Sequence, residues 1–381
     1  MSVKSKRTYE DFVKFLGNKP WKVGFSGILG NVITPYPIDK IISKNKMKEI
    51  TDYGKVFETI VEKTAKYLTD NNIKAQILGI SGGIDSTVCA AICHEVSKKT
   101  GIPLIGRSLP TKFNKEGETT TADLVGKAFC SSYKEVSINL AYKSLLSFIG
   151  TMEDSMLDLS GNTLYDIQGE FPKQQTDLAD GNIQARLRMI YLYNLASIHK
   201  GLVIDTDNLT ENNLGYWTIH GDVGDFNPIG ELWKTEVFEL AEWLLSYYSF
   251  QLPHNMYEAT SEQLEKAGKI FQQGRAVKES LKLKPTAGLG ITNNDLEELG
   301  AESYEQVDSI LQEILAWKNL KLRQGLESFK EISLVNFLAE QQILDIPANI
   351  VAEVSKRHFA SEFKRKQLPI KIQRYSFINN N

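Results

Sequence analysis

An apolar strand followed by a glycine-rich turn and a helix constrains this chain more than any other segment. The predicted strand Gln76 to Ile80 runs into Ser81-Gly82-Gly83, and a helix is predicted to begin near Ile84. Paired glycines allow a tight turn that brings consecutive backbone N–H groups close to an anion, and the N-terminus of the following helix carries partial positive charge. The segment Gly79 to Ser86 therefore predicts a phosphate-binding loop, with ATP as its first-choice ligand.

The loop differs from a Walker A motif, which places a Lys before its Ser or Thr. Here an acid, Asp85, precedes Ser86 and Thr87. A carboxylate next to a polyphosphate is repelled unless a divalent cation lies between them, so the sequence also predicts Mg²⁺. The alternative is an ordinary strand–turn–helix junction in which Ser81 or Asp85 only caps the helix.

The composition and the distribution of apolar residues argue against several other classes of protein. Charged residues make up 24% of the 381 residues, hydrophobic residues make up 42%, and the net charge is −3. This balance disfavours a strongly basic nucleic-acid-binding surface. We find neither an apolar run of membrane-spanning length nor the apolar stretch of a signal peptide, so we expect a cytoplasmic protein without a membrane partner.

Strands and helices alternate along the middle of the chain. Further strands are predicted at Ile102 to Arg107, Lys134 to Ile138 and Gly201 to Asp205, and helices at 56–67, 84–98, 121–129, 140–149 and 182–199. Strands separated by helices of this length predict an α/β fold with a doubly wound parallel sheet flanked by helices. Ligands of such sheets bind beyond the carboxyl ends of the strands, where Ser81 and Thr206 fall. Residues 1–50 are expected to form an N-terminal extension.

Two arginines lie in a later segment, Gly181 to Met189, which is predicted to open a helix. Arg186 and Arg188 are two positions apart, and side chains at that spacing on a helix do not face the same way. One of them can therefore reach a ligand phosphate or carboxylate while the other is solvated or paired, and the spacing alone does not decide which.

Two more segments carry candidate charges. Asp205 to Glu211 is an acidic turn after a strand, in which Glu211 either completes a Mg²⁺ site with Asp85 or caps a helix. Gly221 to Pro228 leads to Lys234 at the start of a predicted helix, where a Lys either neutralises phosphate charge or lies exposed on the surface.

Taken together and in this order, these strings resemble the ammonia-dependent NAD synthetases of the N-type ATP pyrophosphatase superfamily. The match is most specific at residues 81–87, 181–189 and 206–234, and weaker matches occur at Lys284 to Ala287 and Phe363 to Arg365. The resemblance implies an adenine nucleotide alpha hydrolase-like fold with extra N-terminal and helical segments. It makes residues 51–381 a NAD synthetase-like ATP pyrophosphatase domain with insertions.

The resemblance also implies roles for individual residues. ATP would be bound by the phosphate loop and by three residues beyond it, which gives the set Gly79, Ile80, Ser81, Gly82, Gly83, Ile84, Asp85, Ser86, Thr87, Thr206, Lys234 and Thr286. Asp85 and Glu211 would hold Mg²⁺, and Asp85 and Lys234 would be the catalytic residues. Arg186, Asp225 and Lys364 would contact deamido-NAD, which favours Arg186 over Arg188.

The implied reaction has two steps. The carboxylate of deamido-NAD attacks the α-phosphorus of ATP to give an acyl-adenylate and pyrophosphate, and ammonia then displaces AMP. The chain departs from the family pattern on the side of the acceptor, since Ile219 stands where the family has a Lys that contacts deamido-NAD, and Phe363 replaces a His. Two alternatives therefore stay open: a related ATP pyrophosphatase that amidates or activates a different carboxylate, and a nucleotide-binding protein without catalysis.

The cysteines bear on the source of nitrogen. A glutamine-using enzyme requires a nucleophilic Cys, but Cys89 and Cys93 fall inside a predicted helix and Cys130 ends another. We therefore expect free ammonia, or a separate protein that delivers it, as the nitrogen source. The resemblance further implies a homodimer that acts on small-molecule substrates.

Overall fold

The structure is a computed structural model that describes residues 50–111, 114, 116–155, 173–252, 260–284, 295–324, 346–367 and 370–371. The described residues form two compact units. The first contains residues 50–295 and the residues from Phe363 onward, and the second contains residues between Leu296 and Glu362. Most of the predicted N-terminal extension, and Thr286, lie outside the described residues.

The first unit is built on a six-stranded parallel sheet. Its strands are β1 (Gln76–Gly79), β2 (Leu104–Ser108), β3 (Ser132–Glu135), β4 (Leu202–Ile204), β5 (Phe226–Asn227) and β6 (Ile370–Lys371). Their order across the sheet is β3-β2-β1-β4-β5-β6, and every neighbouring pair is parallel. The predicted parallel α/β sheet is therefore confirmed.

Helices connect these strands. The helices of the first unit are α1 (Tyr53–Asp70), α2 (Ile84–Thr100), α3 (Glu116–Phe129), α4 (Asn139–Ser155), α5 (Lys173–His199), α6 (Leu209–Leu214), α7 (Lys234–Phe250) and α8 (Ser261–Lys282). A 3₁₀ turn, Lys364–Gln367, precedes β6.

Both faces of the sheet are buried, as a doubly wound fold requires. On one face, Ile77 and Val203 belong to an apolar cluster with Met189 and Leu192 of α5. On the other face, Leu78 belongs to a larger cluster that includes residues of α1, α2, α3, α7 and α8. Consecutive strand residues point to opposite faces, so the neighbouring apolar residues Ile77 and Leu78 serve both clusters.

Two predicted boundaries are wrong. The helix expected to begin near Asn182 begins at Lys173, so Gly181 lies within α5 and does not open it. A glycine inside a helix costs only about 1 kcal/mol relative to Ala, which the rest of a long helix can offset. The strand expected at Lys134 to Ile138 covers Ser132–Glu135 instead. Ile138 follows the strand and belongs to the apolar cluster that contains Met189 and Leu192 of α5, so its apolar character reflects burial in that cluster and not a place in the strand.

The second unit is helical in its described part. Helix α9 (Asp295–Leu299) leads into it, and α10 (Tyr304–Gln324) and α11 (Ala348–Ala360) follow. Fully buried apolar side chains of α10, among them Ile310 and Ile314, and Val354 of α11 form its interior. In neither unit does a described helix have the length and apolar character that crossing a membrane requires.

Candidate functional site

The candidate site lies where the order of the strands reverses. β1 and β4 are neighbours in the sheet, but the chain leaves them towards opposite edges, through β2 and β3 on one side and β5 and β6 on the other. Such a reversal opens a crevice beyond the carboxyl ends of the two strands, which is where open α/β sheets bind ligands. The phosphate loop follows β1, and the acidic turn Asp205 to Glu211 follows β4.

The geometry of the phosphate loop requires a glycine at position 82. Gly82 has a φ of +87°, and a Cβ atom at this position would lie 2.4 Å from the backbone oxygen of Glu118. Only glycine avoids both the left-handed strain and the clash. Gly83 is the N-cap of α2, and the helix has no side-chain hydrogen bond at this cap. The first N–H groups of α2 are therefore not satisfied by a capping side chain, which is the arrangement that binds anions at helix N-termini.

The alternative in which Ser81 or Asp85 only caps α2 is wrong. Ser81 Oγ accepts a hydrogen bond from Gly83 N at 3.2 Å, within the loop itself. The Asp85 carboxylate instead bonds to residues far along the chain: Asn208 Nδ2 donates to its Oδ1 at 2.9 Å, and Lys234 Nζ lies 2.6 Å from its Oδ2. Asp85 therefore connects the loop that follows β1 with the turn that follows β4.

A buried lysine connects the two acids that were predicted to hold a metal. Lys234 Nζ lies 2.6 Å from Asp85 Oδ2 and 3.0 Å from Glu211 Oε1. The Lys234 side chain is 2% exposed, whereas Asp85 and Glu211 are 17% and 18% exposed. The surface-lysine interpretation is therefore wrong. A buried ammonium group is costly unless it is paired, and the two carboxylates supply the pairing.

Glu211 is both a helix cap and a member of this cluster. Its Oε2 accepts from Asn208 N at 3.1 Å, and Asn208 Oδ1 accepts from Glu211 N at 3.0 Å, which is a capping box at the start of α6. The cap orients the carboxylate so that its other oxygen, Oε1, meets Lys234. The two interpretations of Glu211 therefore describe one arrangement.

Sequence reasoning missed two residues that position this cluster. Asn208 contacts Asp85 and caps α6, and Thr210 Oγ1 accepts a hydrogen bond from Lys234 N at 2.8 Å, at the start of α7. The Asn-x-x-Glu spacing of a capping box is the sequence signal that could have identified Asn208. The bond from α7 to Thr210 joins distant parts of the chain and has no comparable sequence signal.

Three further acids lie near this cluster, of which Asp205 is buried and Asp207 and Asp222 are half-buried. Burial raises the pKa of Asp205 to about 7, although Asp207 N and Gly224 N donate to its carboxylate. Burial also raises the pKa of Asp222 to about 6, and burial together with the charge of Asp205 raises the pKa of Asp207 well above its usual range. The raised pKa values mean that these carboxyl groups take up protons at a higher pH than exposed carboxyl groups do, which lowers the negative charge near Asp85 and Glu211.

The structure distinguishes the two arginines of α5. Arg186 is exposed, and its Nη2 donates to the backbone oxygen of Ile219 at 3.1 Å. Arg188 is half-buried, its Nε donates to Leu109 O at 3.0 Å, and burial lowers the pKa of its guanidinium. Arg188 thus has a structural role, and Arg186 is the arginine that a ligand can reach.

The three residues predicted to contact the acceptor substrate are brought together by one segment, residues 215–225. Two of them bond to its backbone and the third belongs to it. Arg186 bonds to the oxygen of Ile219, and Lys364 Nζ donates to the oxygens of Gly215 and Trp217, both at 2.7 Å. Asp225, at the end of this segment, accepts from Val203 N at 2.9 Å and from the Tyr193 hydroxyl at 3.1 Å.

The other predicted residues have these positions. Thr206 is half-buried two residues after β4, and Phe363 is exposed at the surface. Thr286 lies outside the described residues. Burial raises the pKa of Cys89 and Cys93 well above the usual range and that of Cys130 to about 12, so none of the three thiols is activated as a nucleophile.

The fold and this site define an α/β nucleotide-binding protein with a phosphate loop. Comparison with known proteins gives a closer assignment, because the NAD synthase family model matches residues 56–368. An NH(3)-dependent NAD(+) synthetase from Methanocaldococcus jannaschii is 31% identical over 265 residues, which cover 68% of this chain and 82% of that protein. One from Thermoplasma acidophilum is 29% identical, over 69% of this chain and 85% of that protein. The chain therefore belongs to the NAD synthase family, and the predicted resemblance is confirmed.

Solved structures agree on the fold. An NMN synthetase from Francisella tularensis aligns with a TM-score of 0.55 at 24% identity, covering 83% of this chain and 97% of that one. A glutamine-dependent NAD(+) synthetase from Cytophaga hutchinsonii aligns with a TM-score of 0.53 at 16% identity, covering 83% of this chain and 51% of that one. At these identities the two alignments support the fold alone.

Proposed function

We propose that this protein is a ligase that uses ATP to amidate deamido-NAD with ammonia, giving NAD, AMP and pyrophosphate through an acyl-adenylate. One observation carries the proposal: in a chain of the NAD synthase family, the buried ammonium of Lys234 lies within 3.0 Å of two carboxylates, directly beyond a phosphate loop. A binding module has no evident use for a paired, buried charge at this point.

The residues of the chain suit adenylation. The carboxylate oxygen of the acceptor forms a bond to the α-phosphorus of ATP, the bond from that phosphorus to the bridging oxygen breaks, and pyrophosphate leaves. The N–H groups at the start of α2 and the ammonium of Lys234 would stabilise the negative charge of the departing pyrophosphate. Ammonia then attacks the acyl carbon and AMP leaves, so no nucleophilic side chain is required.

The Mg²⁺ included in this proposal fits the donors that are present. Asp85 and Glu211 each direct one carboxylate oxygen at Lys234 Nζ. Carboxylate oxygens are the ligands that Mg²⁺ prefers. In the described part of the chain, no three His, Cys, Asp or Glu side chains form a metal site of their own. Asp85 and Glu211 would therefore hold the ion together with water and phosphate oxygens, and the ion would neutralise phosphate charge.

We assign segment 215–225 to the acceptor. Arg186 is exposed and donates to the backbone oxygen of Ile219, so it places a positive charge next to the position at which the family has a lysine. Lys364 and Asp225 hold the two ends of the segment through backbone groups. In this proposal Arg186 contacts the acceptor directly, and Asp225 and Lys364 contact it or shape its site.

We also propose a cytoplasmic homodimer. The outer face of α5 carries apolar side chains in water, with Ile190 64% exposed, Ile198 65% exposed and Tyr193 partly exposed. A helix face of this kind is suited to a second copy of the chain. Sedimentation of the purified protein tests this part, since a monomer at working concentration would contradict it.

The experiment that tests the function measures three products at once. Purified protein is incubated with ATP, Mg²⁺, ammonium chloride and deamido-NAD, and we expect NAD, AMP and pyrophosphate to accumulate in equal amounts. Parallel reactions replace deamido-NAD by nicotinate mononucleotide or omit the acceptor. AMP formed only with the mononucleotide would show a different acceptor, and ATP binding without AMP in any reaction would show a protein without catalysis.

A further inference from the structure

Helix α8 contacts the phosphate loop through the side chain of Ser280. Ser280 is fully buried, and its hydroxyl donates to the backbone oxygen of Gly82 at 3.0 Å. The same hydroxyl lies 2.6 Å from Thr87 Oγ1 in the first turns of α2. Gly82 and Ser280 are 198 positions apart in the chain, so this contact depends on how α8 packs.

The bond to Gly82 fixes the orientation of a peptide group that the site needs. In a planar trans peptide, the oxygen of Gly82 and the N–H of Gly83 point in opposite directions. Ser280 holds the oxygen on the buried side, so the N–H points to the exposed side of the loop. There it donates to Ser81 Oγ at 3.2 Å. A peptide between two glycines has little steric restriction of its own, so this orientation depends on its two hydrogen bonds, one with Ser81 inside the loop and one with Ser280 of α8.

Helix α8 has a second polar link to α2, away from the loop. Gln273 Nε2 lies 2.9 Å from His94 Nε2, and His94 Nδ1 lies 2.8 Å from the oxygen of Phe129. The amide of Gln273 is the donor, so the histidine carries its proton on Nδ1 and donates it to Phe129. Position 87 pairs with 280, and position 94, seven residues further along α2, pairs with 273, seven residues earlier in α8. The two helices therefore run antiparallel.

We infer that Ser280 is a positioning residue for ATP. It holds the Gly82–Gly83 peptide so that the N–H of Gly83 lies on the side of the loop where the phosphates bind, and the packing of α8 places the Ser280 side chain at the loop. The inference rests on the proposed function, in which this loop binds ATP. It does not depend on the identity of the acceptor. Ser280 acts through the loop and does not itself touch the ligand.

The test compares Ser280→Ala with Gln273→Leu. Calorimetric titration with a non-hydrolysable ATP analogue and Mg²⁺ measures affinity in the absence of an acceptor. We expect Ser280→Ala to bind the analogue about tenfold more weakly, the size of one lost hydrogen bond in a binding site. Gln273→Leu removes the other link between α2 and α8, so it should lower the melting temperature and leave the affinity unchanged.

Steady-state kinetics separate positioning from general damage. In Ser280→Ala, the KM for ATP should rise about tenfold while the KM for the acceptor stays constant. A rise in both KM values, or an equal loss of ATP affinity in Gln273→Leu, would show that α8 only supports the fold. Should Ser280→Ala not fold, Ser280→Cys keeps the volume with a weaker hydrogen-bonding group and is expected to weaken binding in the same direction.

The proposed function and the role of Ser280 predict different results for ATP binding. If the unmodified protein does not bind the ATP analogue, the proposed function is wrong. If it binds the analogue and Ser280→Ala binds it equally well, the function stands and the role of Ser280 is refuted.

Discussion

Replacing Lys234 by Met tests whether the Asp85–Lys234–Glu211 cluster is the charged centre of the site. The substitution keeps the length of the side chain and removes its charge, which leaves two carboxylates that both pointed at the same nitrogen atom. Removing one partner from a buried ion pair costs about 3–5 kcal/mol. Since Asp85 and Glu211 keep some access to water, we expect a loss at the low end, about 3 kcal/mol of unfolding free energy.

The matched control is Lys66→Met. Lys66 Nζ lies 2.7 Å from Asp70, a distance like that in the buried cluster, but its side chain is 71% exposed. An exposed pair of this kind is worth less than about 1 kcal/mol. Urea denaturation of the two variants gives both numbers directly, and equal losses in the two variants would refute the argument from burial.

The Lys234→Met variant should also respond differently to Mg²⁺. Lys234 occupies the two carboxylate oxygens that would bind Mg²⁺, so its removal should let Mg²⁺ alone raise the melting temperature more than it does in the unmodified protein. Activity should nevertheless fall about 100- to 1,000-fold, because the charge that stabilises the leaving pyrophosphate is gone. A Lys234→Met protein with normal kcat and no greater response to Mg²⁺ would contradict the assigned role.

Three further predictions concern Asp85, Gly82 and Asp205. Asp85→Asn should abolish pyrophosphate release and leave the fold intact, as measured by a release assay and circular dichroism; normal turnover would end the metal-site proposal. Gly82→Ala should weaken ATP binding at least tenfold, because its Cβ would clash with Glu118 O. In contrast, Gly101→Ala, at a φ of +74° with open space around it, should cost only about 1 kcal/mol of stability and no affinity. Folding raises the pKa of Asp205 from 3.8 to about 7, so this residue stabilises the fold when protonated and that contribution is lost as the pH rises towards 7. Asp205→Asn should therefore gain stability relative to the unmodified protein from about pH 4 to about pH 7 in urea denaturation, and a constant difference across that range would refute the shift.

The sequence predicted the parts of the fold that local patterns determine. The strand, glycine turn and helix around Ser81 are consecutive in the chain, and their apolar and glycine signals are strong, so the loop was predicted at its observed position. β5 and β6 contain two residues each, which is too short for any periodicity. Gly181 misled the prediction because the pattern cannot show that a long helix tolerates a glycine.

The candidate site was predicted in part for the same reason. The signals for Asp85, Glu211 and Lys234 lie in separate local motifs, and the resemblance to a family joined them. The burial of Lys234 could not be predicted, since a Lys in the first turn of a helix is usually exposed. The contact of Ser280 with Gly82 spans most of the first unit and follows only from the packing of α8 against α2.

The central claim is that the carboxylate of the acceptor attacks the α-phosphorus of ATP bound at the loop after β1. Labelling both carboxylate oxygens of deamido-NAD with oxygen-18 tests it directly, because one labelled oxygen must leave with the nucleotide when ammonia displaces it. We predict AMP that carries one labelled oxygen, with unlabelled pyrophosphate and one labelled oxygen in the amide of NAD. Label in inorganic phosphate together with ADP would place the attack on the γ-phosphorus and contradict the account.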